Sequence, residues 1–180
     1  MNILGVDGSP TGAGRTETVI RHVLAGARHA GAQEAIVGLS SAEKIDEALA
    51  MMGGHDGFVF GSPIYRASHA APLKVLLDRL PRGRWGETEA PIQGRAAAIV
   101  ATGATYHHFL GLQDLRNVLS SFFATYVVPP GLYVPAEGFS SDGELAEEFV
   151  EQASLLGRSL VELSSALAGS SFMSKVEPQA

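Results

Sequence analysis

The sequence predicts a doubly wound α/β domain, in which a five-stranded parallel sheet carries helices on both faces. Three observations predict it. Five short runs rich in Val, Ile, Leu, Phe and Ala recur along the 180 residues. They lack the apolar–polar alternation of a half-wet sheet, so they read as strands buried on both faces. The segments between them carry apolar residues at helical spacing, which gives the strand–helix alternation of a parallel sheet.

Asn2 to Asp7 is the first apolar run and stops at Gly8-Ser9-Pro10, a strand running into a loop. Thr16 to Ala30 places Val19, Ile20, Val23, Leu24 and Ala27 on one face, with Gly31 as the stop. Ala35 to Leu39 is the second strand, and Ala42 to Met52 a short helix with Ile45, Leu49 and Met52 inward. Gly57 to Gly61, around Phe58-Val59-Phe60, is the third strand. Ala71 to Leu80 is helical, with Leu73, Leu76, Leu77 and Leu80 on one face and a Lys74–Asp78 pair on the other. Arg95 to Ala101 is the fourth strand, Phe109 to Ala124 a helix, and Tyr126 to Val134 a fifth strand broken at Pro129-Pro130-Gly131. Asp142 to Leu167 is a long final helix whose Phe149, Ala153, Leu156, Leu160, Leu163 and Leu167 make a seam that packs on the sheet. Residues 1–168 thus form one domain, and 169–180, with Ser, Gly, Pro and no periodicity, are expected to be a disordered tail. Right-handed crossovers leave few topologies, and the flavodoxin-like order 2-1-3-4-5 is the usual five-stranded one.

Composition removes several classes of function. Without cysteine there are no disulfides, thiolate metal sites or cysteine nucleophiles. Lys and Arg number 13 against 19 Asp and Glu, a net charge of −6 with no basic stripe, which argues against nucleic-acid binding. The N-terminus lacks the basic region of a secretion signal, and no apolar run approaches the roughly 18 residues of a membrane span, so a cytoplasmic protein is expected. His22 and His29 stand roughly 10 Å apart along their helix, and the adjacent His107 and His108 diverge, so no metal site is predicted. A serine hydrolase would need a G-x-S-x-G elbow, which is missing.

Ligands of such sheets bind beyond the carboxyl ends of the strands. The loop after strand one runs Gly8-Ser9-Pro10-Thr11-Gly12-Ala13-Gly14-Arg15-Thr16-Glu17 and opens a helix, where free amides and the positive helix end favour an anion. Ser9, Thr11 and Thr16 add hydroxyls and Arg15 a charge. The loop lacks the third glycine of the dinucleotide fingerprint. As a nucleotide-triphosphate loop it has Ser9 for the first glycine and Arg15 for the lysine, and strands three and four end without a magnesium-binding Asp. The loop after strand three, Gly61 to His69, has Pro63 to fix the chain and following amides free to meet a planar ligand. The loop after strand four is Ala101-Thr102-Gly103-Ala104-Thr105-Tyr106-His107-His108. Three such loops along one sheet edge make a candidate site.

Gly8-Ser9-Pro10 with Gly14-Arg15-Thr16, Ser62-Pro63-Ile64-Tyr65 with Leu73-Lys74 and Leu77-Asp78, and Ala101-Thr102-Gly103 together resemble the NADPH-dependent FMN reductases. The resemblance spans roughly Met1 to Val134, and the stretch from Pro63 through Leu80-Pro81 is especially similar to the reductases of two-component flavin monooxygenases. It implies an FMN phosphate on Ser9, Thr11, Arg15, Thr16 and the Glu17 amide. It places the flavin ring against Pro63, Ile64, Tyr65, Arg66 and Ser68, with Thr102, Gly103 and His107 along the other edge. It further implies hydride transfer from NADPH or NADH to flavin N5, reduced flavin for a partner monooxygenase, and a homodimer or homotetramer. The amides of Ile64, Tyr65 and Arg66 would stabilise the reduced ring, and no side chain is assigned a catalytic role.

Two other readings share the fold: a quinone, azo-dye or metal-ion reductase with prosthetic FMN, and a flavodoxin-type electron carrier. Gly103-Ala104 departs from the paired glycines of the family, and Arg82 to Gly94, with Arg84 and Trp85, is longer than its usual connection and lies at the opposite sheet edge. Lys44, Arg66 and Arg116 are the candidates for a 2′-phosphate. The helix after the third loop lacks an inserted aromatic near Gln113-Asp114, so it is expected to be regular, without a π-turn, which favours FMN held as a prosthetic group.

Overall fold

The computed structural model describes residues 1–179. Its strands are β1 (Asn2–Asp7), β2 (Gln33–Gly38), β3 (Gly57–Tyr65), β4 (Ser68–His69), β5 (Ala96–Gly103), β6 (Tyr126–Val127) and β7 (Leu132–Pro135). Its α-helices are α1 (Arg15–His29), α2 (Ala42–Met52), α3 (Ala71–Arg79), α4 (Gly111–Asn117) and α5 (Glu147–Ala168). No described helix is long and apolar enough to cross a membrane.

The parallel core runs β2-β1-β3-β5-β6. Taken as the long strands in chain order this follows 2-1-3-4-5, with two departures. The fifth position is shared: β6 pairs with Ala96 and Ala97 of β5, and β7 with Val100 to Gly103. Between them lies the proline pair, which cannot donate ladder hydrogen bonds. The second departure is β4, which pairs antiparallel with the extended end of β3.

Strand alternation sorts the core into two layers. Ile3, Val59, Ala96, Ala98 and Val100 face α1 and α5, whereas Leu4, Val6, Phe58, Phe60, Ala97 and Ile99 pack toward α2, α3 and α4. On the first face the two helices nearly touch backbones. A Cβ on Gly157 would overlap the Val23 carbonyl, and one on Gly26 the Ser154 carbonyl, so the crossing admits only glycine at both points.

Four expectations are corrected. The final helix starts at Glu147 instead of Asp142, because residues before it fold into a turn closed by a Phe139–Leu145 bridge around Gly143. Strand three runs on to Tyr65, so Ser62 to Tyr65 is strand and not loop. The helix after the third loop is not regular: α4 widens into a π-helical segment at Val118–Phe122. Leu115, Leu119 and Phe123 are all buried at spacings of four. Repeated fours drift off an α-helical face, and one wider turn brings them back. The widening lies beyond Gln113-Asp114, and it removes the regular-helix argument for prosthetic flavin.

The fourth correction concerns the end of the chain. From Gly169 to Gln179 the segment expected to be disordered makes a 3-10 turn at Met173–Lys175 and a set of long-range bonds, and Ala180, part of the same expectation, lies outside the described residues. Arg84 reaches Glu177 at 3.0 Å and the Pro178 carbonyl at 2.8 Å, Gln93 Nε2 donates to Val176 O, and the Gln179 amide donates to Ser121 O in the π segment. The neighbouring loop carries Trp85, 80% exposed, with the Arg82 guanidinium 4.8 Å from its ring centroid and 5.7 Å from that of Phe122.

Candidate flavin site

The carboxyl ends of β1, β3 and β5 sit side by side: Asp7 is in register with Gly61, and Pro63 with Thr102. The Gly8 amide donates to Gly61 O at 2.8 Å, which ties the first loop to β3. Alternation places Thr102 on the α1 face, and there its hydroxyl meets that of Thr16 at 2.9 Å, both side chains buried. Two predicted residues 86 apart in sequence are thus brought together.

The first loop is built from unused donors. No amide from Ala13 to Glu17 donates a hydrogen bond within the described protein; the next one, Thr18, donates to Gly14 O at 3.0 Å. Gly14 provides no side-chain cap for α1. Ser9 and Thr11 hydroxyls are 3.3 Å apart at the loop's start. Arg15 is exposed and its guanidinium lies 5.3 Å from the Phe139 ring centroid, so the turn before α5 furnishes its seat. Glu17 is engaged by Arg21 one turn on. A row of open amides beside hydroxyls and a free guanidinium is the donor set of a phosphate cradle, and an FMN phosphate fits it.

The second segment differs from expectation. Ile64 pairs with His69 and Tyr65 with Ser68, so only the turn residues Arg66 and Ala67 lie outside the pairing. The segment expected as a loop is thus the end of β3 and a two-residue turn. Arg66 and Ala67 have φ of 52° and 69°, the left-handed pair that a two-residue hairpin turn demands, here without glycine. Ser62 Oγ locks the hairpin's base by accepting the Ala70 amide at 2.8 Å. Tyr65 is half exposed and Arg66 exposed, at the tip of the hairpin.

In the third loop, Gly103 serves packing. A Cβ there would collide with the Tyr133 hydroxyl, which donates to Thr105 O at 2.6 Å. Burial, then the charge of Glu137, holds the Tyr133 phenol above its ordinary pKa, so it stays a donor. His107 is exposed, and its Nδ1 lies 3.3 Å from the Thr105 hydroxyl, as does that of His108. No contact joins His107 to the other candidates. No group of three metal-ligating side chains occurs among the described residues.

Sequence reasoning missed Asp7, Tyr133 and His69. Asp7 is fully buried, its Oδ1 accepting the Ser9 amide at 3.0 Å while Oδ2 has no partner. Burial, opposed by that amide and aided by Glu17, raises its pKa to about 6. A carboxylate ending an apolar strand beside a glycine-rich loop was the available signal. His69, in the second strand of the hairpin, has both ring nitrogens buried and unpartnered, and burial lowers its pKa against the opposing charge of Asp114. Tyr133 acts 28 residues from its acceptor, and no local pattern announces it.

Comparison with known proteins shows the family. The family model for NADPH-dependent FMN reductase matches residues 1–139. An NAD(P)H-dependent FAD/FMN reductase of Geobacillus thermodenitrificans is 26% identical over 110 residues, covering 61% of this chain and 56% of that protein. The FMN reductase (NADPH) of Escherichia coli is 35% identical over 74 residues, 41% of this chain and 35% of its own length. The matches therefore span about half or less of these curated relatives. The apo crystal structure of an NADH:FMN oxidoreductase superposes with a TM-score of 0.73 at 24% identity, covering 94% of this chain and 91% of that one. With a flavodoxin-like sheet and a family match over residues 1–139, the chain belongs to the NADPH-dependent FMN reductase family.

Proposed function

We propose that this protein is a cytoplasmic NAD(P)H:FMN oxidoreductase that supplies reduced flavin to a partner monooxygenase. The carrying observation is the row of unpartnered amides from Ala13 to Glu17, set beside the Thr16–Thr102 hydroxyl pair at one sheet edge. Bound FMN supplies the ring that accepts a hydride from NADPH or NADH at N5. The protein's part is binding and orientation. Ser9, Thr11, Arg15, Thr16 and the Glu17 amide hold the phosphate, and Thr16 and Thr102, buried and joined, fix the cradle's distance from β5. Pro63, Ile64, Tyr65, Arg66 and Ser68 form one wall, stiffened by the hairpin and by Ser62. Thr102 and Gly103 form the other, with His107 at its mouth. A wall that holds the two reacting rings within about 3–3.5 Å provides most of the catalysis such a reaction needs.

The test is NADPH and NADH oxidation with FMN in excess. Turnover that rises with added FMN is expected. Turnover only with quinones would replace this reading by that of a reductase with prosthetic FMN, and no turnover would leave an electron carrier.

A further inference from the structure

The carboxyl of Asp7 lies where an anion site least tolerates one. It ends β1 on the face covered by α1, where alternation sets it in line with Ile3 and Gly5, and its Oδ1 accepts the Ser9 amide at the start of the first loop, close enough for the charge of Glu17 to act on it. It forms no ion pair among the described residues. The charged groups in the first turn of α1 are Arg15, seated over Phe139, and Glu17, engaged by Arg21. The flanking strands bring Val37, Gly38 and Leu39 on one side and Phe60, Gly61 and Ser62 on the other, none ionisable.

A phosphate on the Ala13–Glu17 amides would add up to two negative charges beside this carboxyl. Two anions crowded into a site of low dielectric do not both stay ionised, and the group with the readier proton acceptor neutralises. Oδ2, buried and without a partner, is that acceptor, while Oδ1 keeps the Ser9 amide in place in either state. The raised pKa of the free protein already brings the carboxyl near its titration at neutral pH.

We propose that Asp7 is a positioning residue that sets the site's hold on the flavin phosphate through proton uptake: FMN is held with Asp7 neutral and released as the carboxylate re-forms. This rests on the reading of the first loop as the FMN phosphate site. It gives a reductase that hands its flavin on a built-in limit to affinity at neutral and alkaline pH, supplied by one buried side chain.

The experiment titrates the whole protein with FMN and with riboflavin from about pH 5 to pH 8, following flavin fluorescence, in the wild type and in Asp7→Asn. Asparagine keeps an oxygen for the Ser9 amide and removes the charge. The wild-type Kd for FMN should rise by about tenfold relative to the variant's across that range, since a like charge removed from a partly buried site is worth at least this much. The phosphate's own ionisation is common to both proteins and cancels in the ratio. Riboflavin, which lacks the phosphate, should give the same pH course in both. Calorimetry of FMN binding in buffers of different ionisation enthalpy should show more proton uptake by the wild type. FMN titrations that run parallel in the two proteins, with equal proton uptake, overturn the role of Asp7 and leave the flavin site standing. Riboflavin bound as tightly as FMN at pH 5 by the wild type removes the phosphate reading, and the proposal with it. Asp7→Ser repeats the comparison with a smaller uncharged side chain, and its riboflavin Kd reports an intact fold.

Discussion

A carboxyl buried with one oxygen unpartnered weakens the fold whenever it is charged, and Asp7 makes the sign of that effect testable. Its native pKa of about 6 stands above the 3.8 of the unfolded chain. Between those values the native state binds more protons than the unfolded one, so this residue's contribution to stability falls as pH rises through the window, and the full penalty is present above it. The penalty is on the order of 1–3 kcal/mol. Asp7→Asn should therefore raise Tm at pH 8 and leave it nearly unchanged at pH 4; equal shifts in thermal melts at both would refute the account. Arg15→Ala should weaken FMN binding by about 1–3 kcal/mol while riboflavin binding holds, as read by fluorescence titration. At this scale, Ser9, Arg15 and Thr16 were legible because loop composition and helix starts are local features. Asp7 was passed over as the end of an apolar strand, and its burial depends on how α1 is laid over it.

Elements were legible where period and punctuation agreed, as in α1, α2, α3 and the first strands. They misled where a tertiary partner decided the outcome. The second loop became a hairpin because Ser62, eight residues from Ala70, closes its base. The π segment arose because Leu119 and Phe123 both find the core. Two predictions belong here. Replacing Arg66-Ala67 by Asn-Gly should stabilise the protein by about 1 kcal/mol, because both positions have positive φ and that dipeptide accepts it without strain; urea denaturation measures it, and loss of stability would show that the turn is not the strained point. Gly157→Ala should cost on the order of 3 kcal/mol or more, since the added methyl meets the Val23 backbone and neither helix has a flexible end to yield. A variant as stable as wild type in denaturant would mean that the α1–α5 crossing is looser than it is drawn.

On the scale of the whole molecule the layered architecture was readable from strand–helix alternation, and the family from three short motifs along one edge. The docked C-terminal segment was not, since Ser, Gly and Pro carry no period and its bonds reach back between 47 and 94 residues to Tyr126, Ser121, Gln93 and Arg84. One surface remains apolar after folding: Val75, Phe109, Leu110 and Phe122, on and around α3, α4 and the π segment, are all exposed. Exposed large apolar side chains gathered on neighbouring elements are the kind of surface that an interface covers, and we expect a homodimer or homotetramer that covers them. Light scattering at micromolar concentrations checks this, and a monomer mass throughout would contradict it.

Trp85 gives that measurement an optical counterpart. It is the chain's single tryptophan, and it stands in water at the rim of a groove of about 480 Å³ bounded by α3 and the π segment. The loop that bears it lies at the sheet edge opposite the phosphate cradle. Its emission should have the long wavelength of a hydrated indole in the isolated chain and move to the blue once a neighbouring copy covers the groove. Flavin loading is read at another wavelength, from the visible absorbance of the ring. One cuvette then reports assembly and cofactor occupancy as separate colours, without a label on either.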